Sequence, residues 1–168
     1  YCNSGIYILE PSVLDIVKEN TCADFSQDVF PALLEQGRSI AGVPDPGYWC
    51  DIGDEQKYRQ AHFDALDGKC SLFSAGISKK AYIGRNVIIT PPVYIADGAE
   101  IRGRSIIDSY TVIGRDCRIT DSHIRASVLW QRVKADRAEI THSIICSDTV
   151  LEEGASVSAG CAVGEQCT

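Results

Sequence analysis

The stretch ISKKAYIGRNVIITPPVYIADGAEIRGRSIIDSYTVIGRDCRI, residues 77–119, decides the fold. An isoleucine stands at every sixth position: Ile77, Ile83, Ile89, Ile95, Ile101, Ile107, Ile113 and Ile119. The spacing then tightens to five for Ile124 and Leu129, passes through Ala135 and tightens again for Ile140 and Ile145. It returns to six for Leu151, Val157 and Val163. Two residues before each aliphatic position stands a small or β-branched one, from Ala75 and Ala81 through Ser105, Thr111 and Cys117 to Ala155 and Cys161. Alternate residues of a strand share a face, so both residues of each pair point inward, the small one where the chain rounds a corner. A repeat of this period winds a chain into a β-helix. One coil cannot bury its aliphatic face alone, so the coils must stack. Sixteen aliphatic positions, at three strands per coil, predict about five coils and a height of roughly 25 Å.

Two details follow from the repeat. Gly84 and Gly114 stand just after an aliphatic position, where the backbone is expected to turn. Cys117, Cys161 and Cys167 fall in the small inward slot, which makes them packing thiols rather than ligands or nucleophiles.

The first 70 residues obey no such period and read as mixed α and β. GIYIL (5–9) has the β-branched and aromatic character of a buried strand. In EPSVLDIVKEN (10–20), Pro11 stands at a first helical position ahead of apolar Val13, Leu14, Ile16 and Val17. DFSQDVFPALLEQG (24–37) predicts a short helix after a Ser26 cap, stapled by Phe25 and Phe30 and stopped at Gly37. RSIAGVPD (38–45) and GYWCDI (47–52) suit two strands of a hairpin. DEQKYRQAHFDALDG (54–68) predicts a helix capped by Asp54 and ended by Gly68, with Tyr58, Ala61, Ala65 and Leu66 as its buried stripe. The expected domains are therefore 1–70 and 71–168.

Charge divides the same way. Residues 1–70 hold 5 basic against 12 acidic side chains, whereas residues 71–168 hold 11 of each. A formal charge of −7 excludes a general nucleic-acid binder, which needs a basic surface. No run reaches the roughly 18 apolar residues of a membrane span. Eight cysteines with no C-x-x-C spacing suit reduced thiols in a cytoplasmic protein, although an even count leaves a disulfide framework open. The chain starts inside an apolar run and holds no methionine, which reads as a fragment of something longer.

Three ordered blocks carry a resemblance: NSGIY (3–7), DVFPAL (28–33) and YWCDIG (48–53). They are similar to the N-x-G-[IV]-Y, D-x-F-P-x-L and Y-W-x-D-[IV]-G blocks of sugar-1-phosphate nucleotidyltransferases, a family that includes mannose-1-phosphate guanylyltransferases and glucose-1-phosphate nucleotidylyltransferases. The repeat resembles the left-handed β-helices of the bacterial hexapeptide transferases. The resemblance implies the C-terminal α/β remnant of a Rossmann-like catalytic domain followed by a left-handed parallel β-helix. It implies that a sugar 1-phosphate, of mannose or glucose, attacks a nucleoside triphosphate and that pyrophosphate leaves, with Mg²⁺ as cofactor. Asp51 is then one of two metal-holding carboxylates, and Asn3 and Gly5 line the sugar pocket. By composition alone Asp51 reads as a turn carboxylate bonding the backbone near Gly53, and Asn3 as a strand-edge turn. Tyr48 and Trp49 are expected to pack and fix the loop. The family's Gly-rich triphosphate loop and its other metal carboxylate are absent from the 168 residues, so no complete catalytic set is expected and the chain alone is expected to be inactive.

Two other functions compete. A β-helix acyltransferase would use a histidine as base, with His123 and His142 as candidates, but no insertion longer than a residue or two interrupts the repeat to hold an acyl carrier. A non-catalytic module would mediate homo-oligomerisation or regulation through the β-helix. Trp130 suits such an interface, and Arg102, Arg104, Arg115, Arg118, Arg125, Arg132, Lys134 and Arg137 suit either an anionic effector or a solvated mixed face.

Overall fold

The repeat forms strand for strand in a computed structural model, which describes residues 2–70, 74–158, 160–165 and 167. The chain divides into two units after Trp49. The second holds sixteen short strands, from Gly76–Ile77 to Ala162–Val163, each carrying one of the aliphatic positions. They make three parallel sheets in which hydrogen-bonded neighbours lie three strands apart in sequence, so each coil gives one strand to each sheet. This is a parallel β-helix of about five turns.

The register shows how the stack closes. In the first sheet Ile77 pairs with Ile95, Ile95 with Ile113, Ile113 with Leu129, Leu129 with Ile145 and Ile145 with Val163. Like residues therefore lie directly above one another, and Ile95, Ile113, Leu129 and Ile145 are all buried. Where the sequence spacing tightens, a single left-handed residue turns the corner: Asp121, Ala126, Arg137 and His142 have φ between 46° and 50°.

Hydroxyls in the small slots are satisfied as the burial of polar groups requires. Ser122 donates to the Thr120 carbonyl at 2.8 Å while its oxygen accepts from the Ala138 N–H, one coil on, at 3.1 Å. Ser127 does the same with the Arg125 carbonyl and the Ser143 N–H. Cys117 is buried, and its desolvated thiol is pushed up to about 11. Cys161 and Cys167 are exposed instead of packed, because the last coil has no described coil above it. All eight cysteines are free thiols.

The chain turns directly after Gly84 and Gly114 as expected, at 85–86 and 115–116, but neither glycine has a positive φ. Gly114 is required by proximity: a Cβ there would lie 2.6 Å from the carbonyl carbon of Trp130 and 2.9 Å from the Leu129 oxygen. Both are backbone atoms of the neighbouring coil and cannot swing aside. Gly114→Ala is therefore expected to cost about 1–3 kcal/mol, the usual range for overpacking. Thermal unfolding checks this, and an unchanged midpoint would remove the contact as the reason for glycine.

Helix α2 (Glu55–Leu66) belongs to the same unit. Asp54 caps it, accepting the Lys57 N–H at 2.7 Å, and Gly68 follows its end with φ 76°. The expected stripe docks it on the first sheet. Leu66 is buried with Val112 and Val128, and Tyr58, Tyr94 and Tyr110 pack around them. Phe63 packs at a tilt against Tyr110, ring centroids 5.2 Å apart, and the Tyr110 hydroxyl donates to Asp67 at 3.0 Å.

The first unit is helical, without strands among its described residues. A 3₁₀ helix spans Pro11–Ile16, and a π-helical turn, Phe25–Val29, runs into α1 (Phe30–Glu35). The cap is Asp24, not Ser26: its carboxylate accepts the N–H groups of Ser26 and Gln27 at 2.7 and 2.8 Å. A carboxylate two residues earlier is the stronger acceptor and takes these N–H groups in place of the serine hydroxyl. Phe25 and Phe30 meet as expected at 5.7 Å, with Tyr7 completing a three-ring cluster. The strands expected at GIYIL, RSIAGVPD and GYWCDI do not form. Ile8 and Val43 are 100% and 89% exposed, because such segments make a ladder only where another strand lies alongside to bond them.

Candidate functional site

The residues singled out for chemistry are distributed over both units: Asn3 and Gly5 in the first, Asp51 in the second. Asn3 is engaged by its neighbours and, at 3.5 Å, by the Ser26 hydroxyl. Its Oδ1 accepts the Gly5 N–H at 2.9 Å and its Nδ2 donates to the Tyr7 hydroxyl at 2.6 Å. Gly5 has φ 76° with open space where a Cβ would stand, so it serves the turn's backbone conformation. Asn3 and Gly5 thus build a side-chain-to-backbone turn, with no strand beside it among the described residues.

Asp51 behaves differently from the carboxylates around it. Asp24, Asp45 and Asp54 all accept backbone N–H groups. The Asp51 carboxylate accepts no hydrogen bond among the described residues, and its side chain is 65% exposed. The turn-carboxylate reading does not hold in that form. What Asp51 has nearby is the Lys57 ammonium, 3.7 Å from its Oδ2; the same ammonium stands 3.9 Å from Asp54 Oδ2. Nothing in the sequence singles out Lys57, since a lysine in a helix's first turn carries no motif. Tyr48 and Trp49, expected to pack, are 39% and 47% exposed.

A hard oxygen donor that no backbone group occupies fits a magnesium ion, which takes one or two carboxylates and keeps several waters. Asp51 alone would supply a single ligand: no group of three or more His, Cys, Asp or Glu residues converges among the described residues.

The β-helix carries the residues of the competing readings. His123 Nε2 lies 2.8 Å from Asp108 Oδ2 on the third sheet's outer face, and His142 is an exposed corner residue. Trp130, expected to face a partner, has its ring 6.3 Å from Tyr58 of α2 and is still 36% exposed. Burial pushes the Tyr58 hydroxyl above its usual range. The basic residues form a mixed face. Arg132 grips Asp148 through two nitrogens at 2.7 Å, Arg102 pairs with Glu100, and Arg137 with Asp136 and Glu153. Arg118 and Lys134 line an open groove of about 520 Å³, which they share with Asp136, Glu152 and Glu153. No helix among the described residues is long and apolar enough to cross a membrane.

Comparison with known proteins bears on the same residues. Residues 1–68 match the family described as nucleotidyl transferase. The chain is 30% identical over 160 residues to a glucose-1-phosphate adenylyltransferase of Bacillus cereus, covering 91% of this chain and 38% of that protein. It is 28% identical to the enzyme of the same name from Acetivibrio thermocellus, covering 96% of this chain and 37% of that protein. The chain thus spans less than half the length of these relatives. Among solved structures, PerB of Caulobacter crescentus, in complex with CoA and GDP-perosamine, aligns with a TM-score of 0.35. That alignment has 23% identity over 80% of this chain and 69% of that one. The chain resembles a sugar-1-phosphate nucleotidyltransferase that carries a β-helix, its first 68 residues matching the nucleotidyl transferase family and nearly its whole length matching part of glucose-1-phosphate adenylyltransferases.

Proposed function

We propose that this chain is part of a cytoplasmic nucleotidyltransferase that joins a nucleoside triphosphate to a sugar 1-phosphate and releases pyrophosphate. The observation that carries the reading is Asp51: within YWCDIG, it is a carboxylate aimed into solvent with no backbone group to serve. Asp51 would hold Mg²⁺, which when bound neutralises charge on the reacting phosphates. The Asn3–Gly5 turn would present backbone to the sugar. The names of the relatives favour glucose 1-phosphate and ATP, with mannose 1-phosphate and GTP as the other pair the resemblance allows.

Assembly is the role that suits the β-helix: it would bring copies of the chain together as a homo-oligomer or carry a regulatory contact. In this reading the 168-residue chain is inactive alone, since the loop that would cradle the triphosphate is not among its residues.

Pyrophosphate release decides the matter. A parent protein containing this chain is expected to release it with Mg²⁺, glucose 1-phosphate and ATP, and the 168-residue chain is expected to release none. Release by the short chain would overturn the inactive-fragment reading. A parent inert towards every nucleoside triphosphate and sugar 1-phosphate pair, yet acetylating an amino sugar from acetyl-CoA, would replace it with the acyltransferase.

A further inference from the structure

Lys57 occupies a position that helix physics disfavours. It is the third residue of α2 after the Asp54 cap, within the turn whose free N–H groups make the positive end of the helix dipole. That position ordinarily takes a glutamate or glutamine reaching back to the cap. A lysine there puts a cation at the positive end. Its side chain runs back toward the helix start, as helical side chains do, and ends 3.7 Å from Asp51 Oδ2 and 3.9 Å from Asp54 Oδ2. Asp54 is already employed as the cap through its other oxygen. Asp51 has no hydrogen bond, so the ammonium is its one counter-charge among the described residues.

We propose that Lys57 is the resident counter-cation of Asp51, a positioning residue that holds the carboxylate until a divalent cation displaces it and so sets how tightly that cation binds. The inference rests on the metal reading of Asp51. Its backbone is fixed by α2, which is anchored on the first sheet through Leu66 and Phe63, while the long side chain remains free to withdraw. An ammonium and a divalent cation cannot share one exposed carboxylate without repulsion, so each binds at the expense of the other.

The test is a Mn²⁺ titration of the 168-residue chain, read by paramagnetic broadening of the Ile52 and Gly53 amide signals. Lys57→Met is expected to bind Mn²⁺ about two- to fivefold more tightly at low salt, the range for an exposed ion pair. The gain should shrink at high salt as screening removes the repulsion. Lys57→Arg keeps the charge and is expected to stay near wild type, and Asp51→Asn is expected to lose the broadening. Unchanged or weaker binding by Lys57→Met would overturn the proposal, as would equal tightening by Lys57→Arg, since packing and not charge would then be responsible. Broadening that survives Asp51→Asn would instead overturn the metal reading, a distinguishable failure. Should Lys57→Met fold poorly, Lys57→Gln asks the same question with a polar side chain.

Discussion

Ile113→Ala is expected to destabilise the β-helix by about 3–5 kcal/mol, toward the upper end of large-to-small core substitutions. Ile113 is fully buried in the central coil, directly between Ile95 and Leu129. The cost of a truncation depends on how far the neighbours can collapse into the space. Here they cannot, because the coils are held apart by strand hydrogen bonds such as Gly114 N–H to Leu129 O at 2.8 Å. The same truncation at Ile77 supplies an internal control. Ile77 stands in the same column of the same sheet but on the first described coil, where it is 45% exposed. Ile77→Ala is expected to cost no more than about 1 kcal/mol, since a half-exposed side chain buries little apolar surface. Thermal and urea unfolding of both variants checks the pair. Equal costs would mean that the coils do not share a stacked core.

That column explains why the second half was legible in the sequence. Each inward position of a β-helix has the same surroundings, set by the coil above and the coil below, so the requirement repeats and becomes visible as a period. Even the irregularity was written in the spacing: the tightening to five between Ile119 and Leu129 is where Asp121 and Ala126 turn the corner alone. Gly114 was legible as special but not for its reason, because the Trp130 carbonyl that crowds it lies sixteen residues away in sequence. The first half was legible only where structure is local. Asp54, Gly68 and the apolar stripe of α2 gave the helix, since cap, stop and face all lie within it. GIYIL and RSIAGVPD failed because β-propensity describes a preference for a pleated, partly buried surface; without a neighbouring strand it specifies nothing. Of the proposed site, Asp51 was legible through its motif alone, and Lys57 was not, because its proximity to Asp51 is a distance across a turn.

Asp51→Asn is expected to lower kcat/KM for pyrophosphate release by the parent protein at least about 100-fold, while leaving the fold intact. Tuning a metal ligand indirectly, through its outer partners, already costs about 10–100-fold, and removing the charged donor itself should cost no less. The substitution is chosen to be silent in every other respect. Asparagine has nearly the shape of aspartate, the side chain is 65% exposed, and no backbone N–H relies on it, so the change in stability should stay within roughly 0.5 kcal/mol. Asp54→Asn, three residues on, reverses the logic. It removes the same charge at a similar distance from Lys57 but retains a good helix cap, and its expected effect on kcat/KM is less than about threefold. The pair separates a carboxylate required by the chemistry from one required by the helix. Loss of activity in both variants would point to the net charge of the loop, and loss in neither would leave Asp51 without a chemical role. Raising Mg²⁺ should restore part of the Asp51→Asn rate if the lost step is metal capture, whereas a rate insensitive to Mg²⁺ would place the defect elsewhere in the turn.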